Sequence, residues 1–335
     1  MKIIVIGAGN WGTALANLFA ETQKVHLWTL TQTEADEINS SGENKQFLQG
    51  INLSKNIYAE EKFASTVESD DIVVVVIPSR RIHELANEFK AHGYERFIFL
   101  NASKGVRHDN LQTIGEIIDE VLPSVRFANL AGPTIAREIA DGLPAKAILT
   151  SNDLDLLFLL QQRLMNSLLY FEFSTDVKGV ELASSLKGLI AIATGIVDGL
   201  GYKTNIFGLV MTYGLAEFKS LMDFLCVNSK TVYGIAGMGD LITTCISENS
   251  RNRQFGKLLA EGYTTEEALQ KVGMVVEGVS MAQTIKKFTS LQLHLPLITF
   301  VTEAVFDNEK GLSKPERVTK LKNALAEVLF KGKGK

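Results

Sequence analysis

The sequence predicts an α/β protein in which a doubly wound sheet is followed by an all-helical domain. An apolar run at residues 2–6 leads directly into a glycine-rich turn and then into helix-forming sequence up to residue 20. Residues 71–78 form a β-branched run, as expected of a strand buried on both faces. Strand signals almost disappear after residue 179, so we predict two domains, at residues 1–178 and 179–335.

The glycine-rich turn has G-x-G-x-x-G spacing, with Gly7, Gly9 and Gly12 between the strand and the helix. In this context Gly7 permits the tight turn, Gly9 lets a pyrophosphate approach the backbone, and Gly12 lets the helix pack on the strand. Free N–H groups at the helix start would face the phosphates. We therefore predict a Rossmann-like domain that binds a dinucleotide, with an ordinary glycine-rich turn as the alternative.

The second strand is predicted at residues 25–29, and its carboxyl end is where this fold reads the adenosine ribose. An acidic residue there binds the 2′-hydroxyl of NAD, whereas an arginine accommodates the 2′-phosphate of NADP. Residues 29–32 read Thr-Leu-Thr-Gln and contain neither. We therefore expect weak discrimination between NAD and NADP.

Further strands are predicted at residues 96–101, 125–130, 145–150 and 168–173, while the polar residues 33–65 predict helix and loop. Ligands of open α/β sheets bind along the carboxyl ends of the strands. Lys104 follows one such end and could meet the substrate or the nicotinamide, with a solvated surface lysine as the alternative. The turn from Gly132 to Thr134 follows another and could hold an oxyanion or a ribose, with a plain turn equally favoured.

The second domain is predicted to consist of helices. Thr264 and Glu267 have capping-box spacing, and Pro296 and Pro315 stand where helix starts would place them. The predicted helices cover residues 180–199, 206–226, 250–261, 264–271, 276–289, 297–307 and 315–329.

The composition excludes several classes of protein. The net charge of −4 offers no basic surface for nucleic acid, and only the tail at residues 331–335 is basic. Cys226 and Cys245 have no motif spacing, which favours a reduced, cytoplasmic protein over a disulfide scaffold. We expect no metal site, because no ligand-like pair occurs among the five histidines, which are His26, His83, His92, His108 and His294.

No membrane segment is expected either. The first strand begins at residue 2, which leaves no room for a signal peptide before it. The most apolar stretch, residues 189–200, is too short to span a bilayer and contains Asp198, so it predicts a buried helix.

Lys187 is the most conspicuous charged residue of the second domain, because its neighbours in sequence are apolar in nearly every direction. Lysine is almost never fully buried without a partner. One interpretation is a lysine that snorkels at a helix edge. The other is a desolvated amine that can act as a base.

Residues 250–253 read Ser-Arg-Asn-Arg at a predicted helix start, soon after Gly239 and Asp240. Two forked guanidinium groups together with free helix N–H groups suit a phosphate. The alternative is a charged helix end without a ligand.

Taken together, these motifs resemble those of the bacterial NAD(P)-dependent glycerol-3-phosphate dehydrogenases. The resemblance spans nearly the whole chain, and the Gly-Asp-Leu and Ser-Arg-Asn-Arg segments are its most specific part. In chain order the motifs are Gly7-Ala-Gly9-Asn10-Trp11-Gly12-Thr13, Ser103-Lys104-Gly105, Ala131-Gly132-Pro133-Thr134-x-Ala136, Gly179-Val-Glu-Leu, Lys187, Gly239-Asp240-Leu-x-x-Thr-Cys245, Ser250-Arg251-Asn252-Arg253 and Val275-Val276-Glu277-Gly278.

The resemblance implies reversible hydride transfer between NAD(P)H and dihydroxyacetone phosphate, which supplies the glycerophospholipid backbone, in a cytoplasmic enzyme that is usually a dimer. Lys187 would be the proton acceptor. Contacts to the sugar phosphate would come from Lys104, Gly132, Thr134, Lys187, Asp240, Ser250, Arg251 and Asn252. Contacts to the dinucleotide would come from Asn10, Trp11, Lys104, Ala136, Arg251, Val275 and Glu277, in addition to the glycine turn.

The chain departs from the family pattern at three places. The family often has a basic residue where Leu30 stands, and usually an asparagine after the catalytic lysine, where this chain has Gly188. Its Thr-Arg-Gly segment reads Thr-Tyr-Gly at residues 212–214, with Tyr213 in place of the arginine. Lost polar contacts at these positions could lower activity or alter the choice of substrate.

Two alternative functions remain. A Rossmann-plus-helical oxidoreductase acting on a β-hydroxyacid or an opine-like amino acid would also use a lysine on the first helix of its second domain. The twin arginines at Arg251 and Arg253 favour a phosphorylated substrate instead. A regulator that binds NAD(H) without turnover would be compatible with Gly188 and Tyr213.

Overall fold

A single sheet organises the first part of the chain in the structure, a computed structural model that describes residues 1–107, 111–287, 293–306 and 311–330. His108, the predicted helix ends at residues 288, 289 and 307, and the basic tail at residues 331–335 lie outside the described residues. The strands are β1 (Ile3–Ile6), β2 (Val25–Thr29), β3 (Ile57–Glu61), β4 (Ile72–Val75), β5 (Ile98–Asn101), β6 (Arg126–Ala131), β7 (Ala145–Thr150) and β8 (Leu169–Ser174).

The strand order is β3-β2-β1-β4-β5-β6-β7-β8. Neighbouring strands run parallel except β6 and β7, which are antiparallel. The order reverses beside β1, which is the position where doubly wound folds bind their ligands. The predicted fold class is therefore confirmed.

Helices cover both faces of this sheet. Ile3 and Val5 pack into one apolar cluster with residues of α1 (Asn10–Phe19), whereas Ile4 and Ile6 pack into another with residues of α3 (Ile82–Ala91). This alternation follows from the two-residue period of a strand. The helices are α1 (Asn10–Phe19), α2 (Gln32–Ser41), α3 (Ile82–Ala91), α4 (Ile114–Val121), α5 (Ala136–Ala140) and α6 (Leu154–Arg163), with a 3₁₀ turn at Ser79–Arg81.

The prediction of helix and loop for residues 33–65 is wrong at β3, which pairs in parallel with β2. Ile57 and Ala59 are buried while Tyr58 between them is exposed. An edge strand buries only part of its surface and carries polar residues that discourage further pairing. Its hydrophobic signal is therefore weak, and the sequence pattern missed it.

Among the described residues, the remainder of the chain is helical, as predicted. The capping box is confirmed, because the Thr264 N–H donates to Glu267 Oε2 at 2.8 Å and the Glu267 N–H donates to Thr264 Oγ1 at 3.2 Å. The sequence analysis did not predict α9 (Asp240–Ile246) or the 3₁₀ and π-helical turns before it. The helices are α7 (Val177–Gly199), α8 (Thr204–Phe224), α9 (Asp240–Ile246), α10 (Arg251–Ala260), α11 (Thr265–Val272), α12 (Glu277–Lys286), α13 (Pro296–Phe306) and α14 (Lys314–Phe330), with the turns at Ser229–Tyr233 and Ile235–Gly239.

Contacts divide the chain into a first unit, residues 1–104 with 113–178, and a second unit, residues 105–112 with 179–335. The sequence prediction places residues 105–112 in the first domain. In the structure, Val106 and Leu111 belong to the apolar core of the second unit. The Gly105 N–H also donates to Ser185 Oγ at 3.0 Å. These contacts explain why the short segment groups with the helices.

Helix α7 is the core element of the second unit, and every residue from Gly179 to Val197 is buried. The helix has 23 residues and a mean hydropathy of 1.6 over its most apolar window, so it is long and apolar enough to cross a membrane. The expectation that no segment reaches that length is wrong, because residues before 189 continue the helix. The expectation of a buried helix is confirmed, since that whole window lies inside the protein.

Candidate active site

The glycine turn leaves the start of α1 open. Gly7 has a φ of 109°, and a Cβ there would lie 2.4 Å from the Val76 carbonyl oxygen. By contrast, a Cβ on Gly9 would meet no heavy atom of the described residues within 4 Å. No side chain caps the helix at Gly9, and its first turn contains no acidic residue. This cradle fits a pyrophosphate, because its backbone N–H groups and helix dipole both favour an anion.

Several of the other residues assigned to the dinucleotide by resemblance lie at helix starts, whereas Lys104 and Val275 lie in loops. Asn10 and Trp11 are the first two residues of α1, and Ala136 is the first residue of α5. Glu277 is the first residue of α12, directly after Val276, its N-cap residue. Asn10 is exposed, whereas the other three are partly buried.

Lys104, Gly132 and Thr134 converge in the first unit. The Lys104 ammonium donates to the Gly132 carbonyl oxygen at 3.4 Å, and the Thr134 hydroxyl donates to the same oxygen at 3.3 Å. Gly132 has a φ of 129°, which a residue with a side chain rarely adopts. The structure therefore places three predicted substrate-binding residues around one carbonyl at the carboxyl end of β6.

Lys187 forms a buried ion pair with Asp240 in the second unit. Lys187 is 7% exposed and Asp240 is 2% exposed. The interpretation of Lys187 as a snorkelling lysine is therefore wrong. Desolvation removes much of the net stability that an ion pair provides, so burial of two charges indicates a role other than stability.

Asp240 is held by its position on α9. It is the first residue of that helix, directly after the π-helical turn Ile235–Gly239. The Thr244 hydroxyl donates to the Asp240 carbonyl oxygen at 2.7 Å and approaches its Oδ1 at 3.4 Å. The local helical geometry thus orients the carboxylate toward Lys187.

Cys245 lies close to this pair, but its thiol is not a nucleophile. Burial raises the pKa of the Cys245 thiol to about 12, against opposing effects of a hydrogen bond with Thr194 and the charges of Lys187 and Arg253. The thiol therefore stays protonated near neutral pH. Both described cysteines are free, with Cys245 buried and Cys226 exposed.

Glycine residues bring α10 against α7. A Cβ on Gly195 would lie 2.0 Å from the Arg253 carbonyl oxygen, and a Cβ on Gly256 would lie 2.1 Å from the Ile192 carbonyl oxygen. No side chain fits at these distances, so the two helix backbones are in direct contact. This crossing sets the position of the Ser-Arg-Asn-Arg segment relative to α7, which carries Lys187.

The two arginines of this segment have different environments. The Arg253 guanidinium donates to the Ile246 carbonyl oxygen at 2.6 Å and to Asp198 Oδ2 at 3.2 Å. Arg251, by contrast, is exposed at the first position of α10. Ser250 caps the helix, since its Oγ accepts from the Arg253 N–H at 3.3 Å. Arg251 is therefore the better candidate for a phosphate, and Arg253 has a structural function.

Asn252 connects α10 to the start of α12. Its Oδ1 accepts a hydrogen bond from the Gly278 N–H at 2.9 Å. A Cβ on Gly188 would lie 2.9 Å from the Gly278 Cα atom. The glycine that replaces the family's usual asparagine at position 188 therefore has a packing reason. Glu277, next to Gly278, interacts electrostatically with the Arg251 guanidinium.

Two carboxylates with notable contacts, those of Glu217 and Glu34, were not singled out by the sequence analysis. Glu217 is buried on α8 and accepts from the N–H groups of Leu297 and Ile298 at 2.8 Å each, at the start of α13. Burial raises the pKa of Glu217 to about 7, against the lowering effect of these two bonds. Glu34 folds back to the Leu30 N–H at 3.0 Å. The Thr-x-x-Glu spacing at residues 31–34 could have revealed Glu34, but no local signal marks Glu217.

The described residues contain no group of three or more His, Cys, Asp or Glu side chains that could hold a metal ion.

Comparisons with known proteins agree over both parts of the chain. Residues 2–157 match the family model described as NAD-dependent glycerol-3-phosphate dehydrogenase N-terminus, and residues 176–314 match the corresponding C-terminus model. A glycerol-3-phosphate dehydrogenase (NAD(P)+) of Chlorobium phaeobacteroides is 36% identical over 314 residues, which cover 92% of this chain and 94% of the relative. A glycerol-3-phosphate dehydrogenase (NAD(P)+) of Fusobacterium nucleatum is 35% identical over 315 residues, which cover 93% of this chain and 94% of the relative.

Solved structures also match. The crystal structure of glycerol-3-phosphate dehydrogenase from Coxiella burnetii has a TM-score of 0.87 and 31% identity, and the match covers 96% of this chain and 98% of that one. Sequence and structure thus lead to the same conclusion: this chain belongs to the NAD-dependent glycerol-3-phosphate dehydrogenase family.

Proposed function

We propose that this chain reduces dihydroxyacetone phosphate reversibly to sn-glycerol 3-phosphate with NAD(P)H. The observation that carries this proposal is the buried ion pair of Lys187 and Asp240. A desolvated lysine beside a carboxylate can hold a proton for a carbonyl oxygen and release it within a site that excludes water.

When bound, NAD(P)H supplies the hydride that reaches C2 of the substrate. In the direction of reduction, the Lys187 ammonium donates a proton to the oxygen on C2 as negative charge develops there. In the direction of oxidation, neutral Lys187 accepts the hydroxyl proton. Asp240 orients the amine and stabilises its charged form, while Thr244 holds Asp240 in place.

The phosphate of the substrate is assigned to the start of α10. Arg251 supplies charge-assisted donors, and the helix start adds a favourable dipole end. The side-chain oxygen of Asn252 accepts from the Gly278 N–H, which fixes the orientation of the amide and leaves its nitrogen to donate to the phosphate. Ser250 contributes as the cap of this helix, and the family pattern adds contacts from Lys104, Gly132 and Thr134.

The dinucleotide is assigned to the cradle of the glycine turn, with Gly7, Gly9 and Gly12 shaping it. The residues 1–178 then act as the dinucleotide-binding domain and the residues 179–335 as the substrate-binding and catalytic domain. Further contacts are assigned, on the family pattern, to Asn10, Trp11, Lys104, Ala136, Arg251, Val275 and Glu277.

The physiological setting follows from the same family pattern. We expect a cytoplasmic homodimer whose product supplies the glycerophospholipid backbone. Light scattering of the purified protein tests the dimer, and a monomer at micromolar concentration would contradict it. Depletion of the protein in its host should lower the pool of glycerol 3-phosphate available for lipid synthesis.

The decisive experiment follows NAD(P)H absorbance in the presence of dihydroxyacetone phosphate, with unphosphorylated dihydroxyacetone and a set of β-ketoacids as comparison substrates. Rapid turnover of the phosphorylated ketone supports the proposal. Preference for a β-ketoacid favours the β-hydroxyacid alternative. Cofactor binding without turnover of any substrate favours a regulator, although the packing of Gly188 against Gly278 removes one reason for that interpretation.

A further inference from the structure

A carboxylate lies at the carboxyl end of β2, although the four residues that end this strand and begin α2 contain no acid. The Leu30 N–H donates to Glu34 Oε2 at 3.0 Å. The Glu34 N–H donates in turn to the Thr31 hydroxyl oxygen at 3.3 Å. Glu34 is half-buried, whereas the Leu30 side chain is 75% exposed. These two bonds hold the carboxylate of Glu34 over the backbone of the strand end.

The end of β2 lies beside β1 in the sheet, and the glycine turn at residues 7–12 directly follows β1. In a dinucleotide fold an acidic residue about 20 residues after the glycine turn accepts a hydrogen bond from the 2′-hydroxyl of the adenosine ribose. Glu34 stands at about that separation and is tied to the end of β2, beside β1 in the sheet. Only one of its carboxylate oxygens is needed for Leu30, so the other can accept from a ligand.

The surroundings of the strand end are acidic as well. Glu60 and Glu61 of β3 stand opposite Trp28 and Thr29 of β2 in the sheet register. The Glu60 carboxylate accepts from Trp28 Nε1 at 3.0 Å and from Ser65 Oγ at 2.6 Å, so Glu61 is the acid of this pair whose carboxylate is not used by these contacts. The next residue, Lys62, is the cation that follows β3, and its N–H donates to the Thr29 carbonyl oxygen at 3.1 Å.

The Lys62 ammonium itself is held elsewhere. It donates to the two carboxylate oxygens of Glu88 at 2.7 and 2.9 Å. It also lies 5.0 Å from the centre of the Phe63 ring. Glu88 therefore balances the charge of Lys62, so Lys62 does not neutralise the carboxylate of Glu34 at the end of β2.

We propose that Glu34 determines cofactor specificity and makes this chain prefer NAD(H) to NADP(H). Its carboxylate accepts from the 2′-hydroxyl of NAD, whereas the 2′-phosphate of NADP brings a charge of about −1.5 to −2 against it. This inference rests on the dinucleotide site of the proposed function. It differs from the weak discrimination that residues 29–32 alone predict.

The test measures binding of ligands that cannot react, so that its readout does not depend on turnover. Titration calorimetry compares ADP-ribose with 2′-phospho-ADP-ribose in the full-length protein. We expect the wild-type protein to bind ADP-ribose at least about tenfold more tightly, because like charges at close range repel. Glu34→Gln should reduce this ratio about fivefold or more, and Leu30→Arg should reduce it further by adding a partner for the phosphate.

Glu37→Gln is the matched control, because it removes the same charge from the exposed part of α2. It should leave the ratio unchanged, and the ratio also cancels any general loss of stability from the missing bond to Leu30. Equal ratios for Glu34→Gln and Glu37→Gln overturn the proposal. So does wild-type preference for the 2′-phosphorylated ligand, in particular if Lys62→Met abolishes that preference. Failure of both ligands to bind overturns the dinucleotide site itself, and the proposal with it.

Discussion

Replacement of Lys187 separates its chemical function from its structural one. In Lys187→Ala the proton carrier is lost, and we expect kcat to fall by about 10²–10⁴-fold, the usual effect of a positioned acid–base group. The same change leaves Asp240, only 2% exposed, as a buried carboxylate without its cation. Breaking a buried pair in this way destabilises a protein by about 3–5 kcal/mol.

The double variant Lys187→Met/Asp240→Asn distinguishes the two effects. It removes both charges while it keeps most of the volume, so we expect much of the lost stability to return and the activity to stay low. Lys178→Ala is the matched control on the same helix, because the ion pair of Lys178 with Glu116 is solvent-exposed and should contribute less than about 1 kcal/mol.

The assays are NAD(P)H absorbance with dihydroxyacetone phosphate, urea unfolding, and NADH fluorescence for cofactor binding. Cofactor binding should survive in every variant at a temperature where the variant is folded. Near-normal kcat in Lys187→Ala would show that Lys187 is not the proton carrier. A double variant no more stable than Lys187→Ala would refute the reasoning from the buried charge.

Three further predictions follow from other contacts. Arg251→Gln should lower kcat/KM for dihydroxyacetone phosphate by an amount that corresponds to a loss of about 2–3 kcal/mol in transition-state binding. It should scarcely change the poor turnover of unphosphorylated dihydroxyacetone, and equal losses for both substrates would falsify the phosphate contact. The folded state favours the protonated form of Glu217, because its pKa is raised from 4.5 to about 7. Relative to Glu217→Gln, the free energy of unfolding of the wild-type protein should therefore fall by about 3 kcal/mol as the pH rises from 4.5 to about 7. Urea titrations that show no such fall would contradict the raised pKa. Gly256→Ala should destabilise the protein by about 1–3 kcal/mol, because the added Cβ would meet the Ile192 carbonyl oxygen. Gly208→Ala, which has open space around the added Cβ, should stabilise the protein by up to about 1 kcal/mol. Similar melting temperatures for the two variants would contradict the helix crossing.

Local patterns in the sequence were sufficient to predict the Rossmann-like sheet, the capping box at Thr264 and most helices of the second unit. Each of these features depends on residues that are neighbours in the chain, so its signal lies in one short window. The same holds for the glycine turn and for the identification of Lys187 as a charge in apolar surroundings. β3 was missed because an edge strand buries too little surface to leave a clear hydrophobic pattern.

The tertiary structure decided which partner each of these residues has. The pairing of Lys187 with Asp240 joins α7 to α9, and the different environments of Arg251 and Arg253 depend on Asp198 of α7. The direct contact of Gly188 with Gly278 joins helices that are far apart in sequence. Such ion pairs and close approaches depend on how whole helices pack, and a window of neighbouring residues contains no information on distances between distant segments.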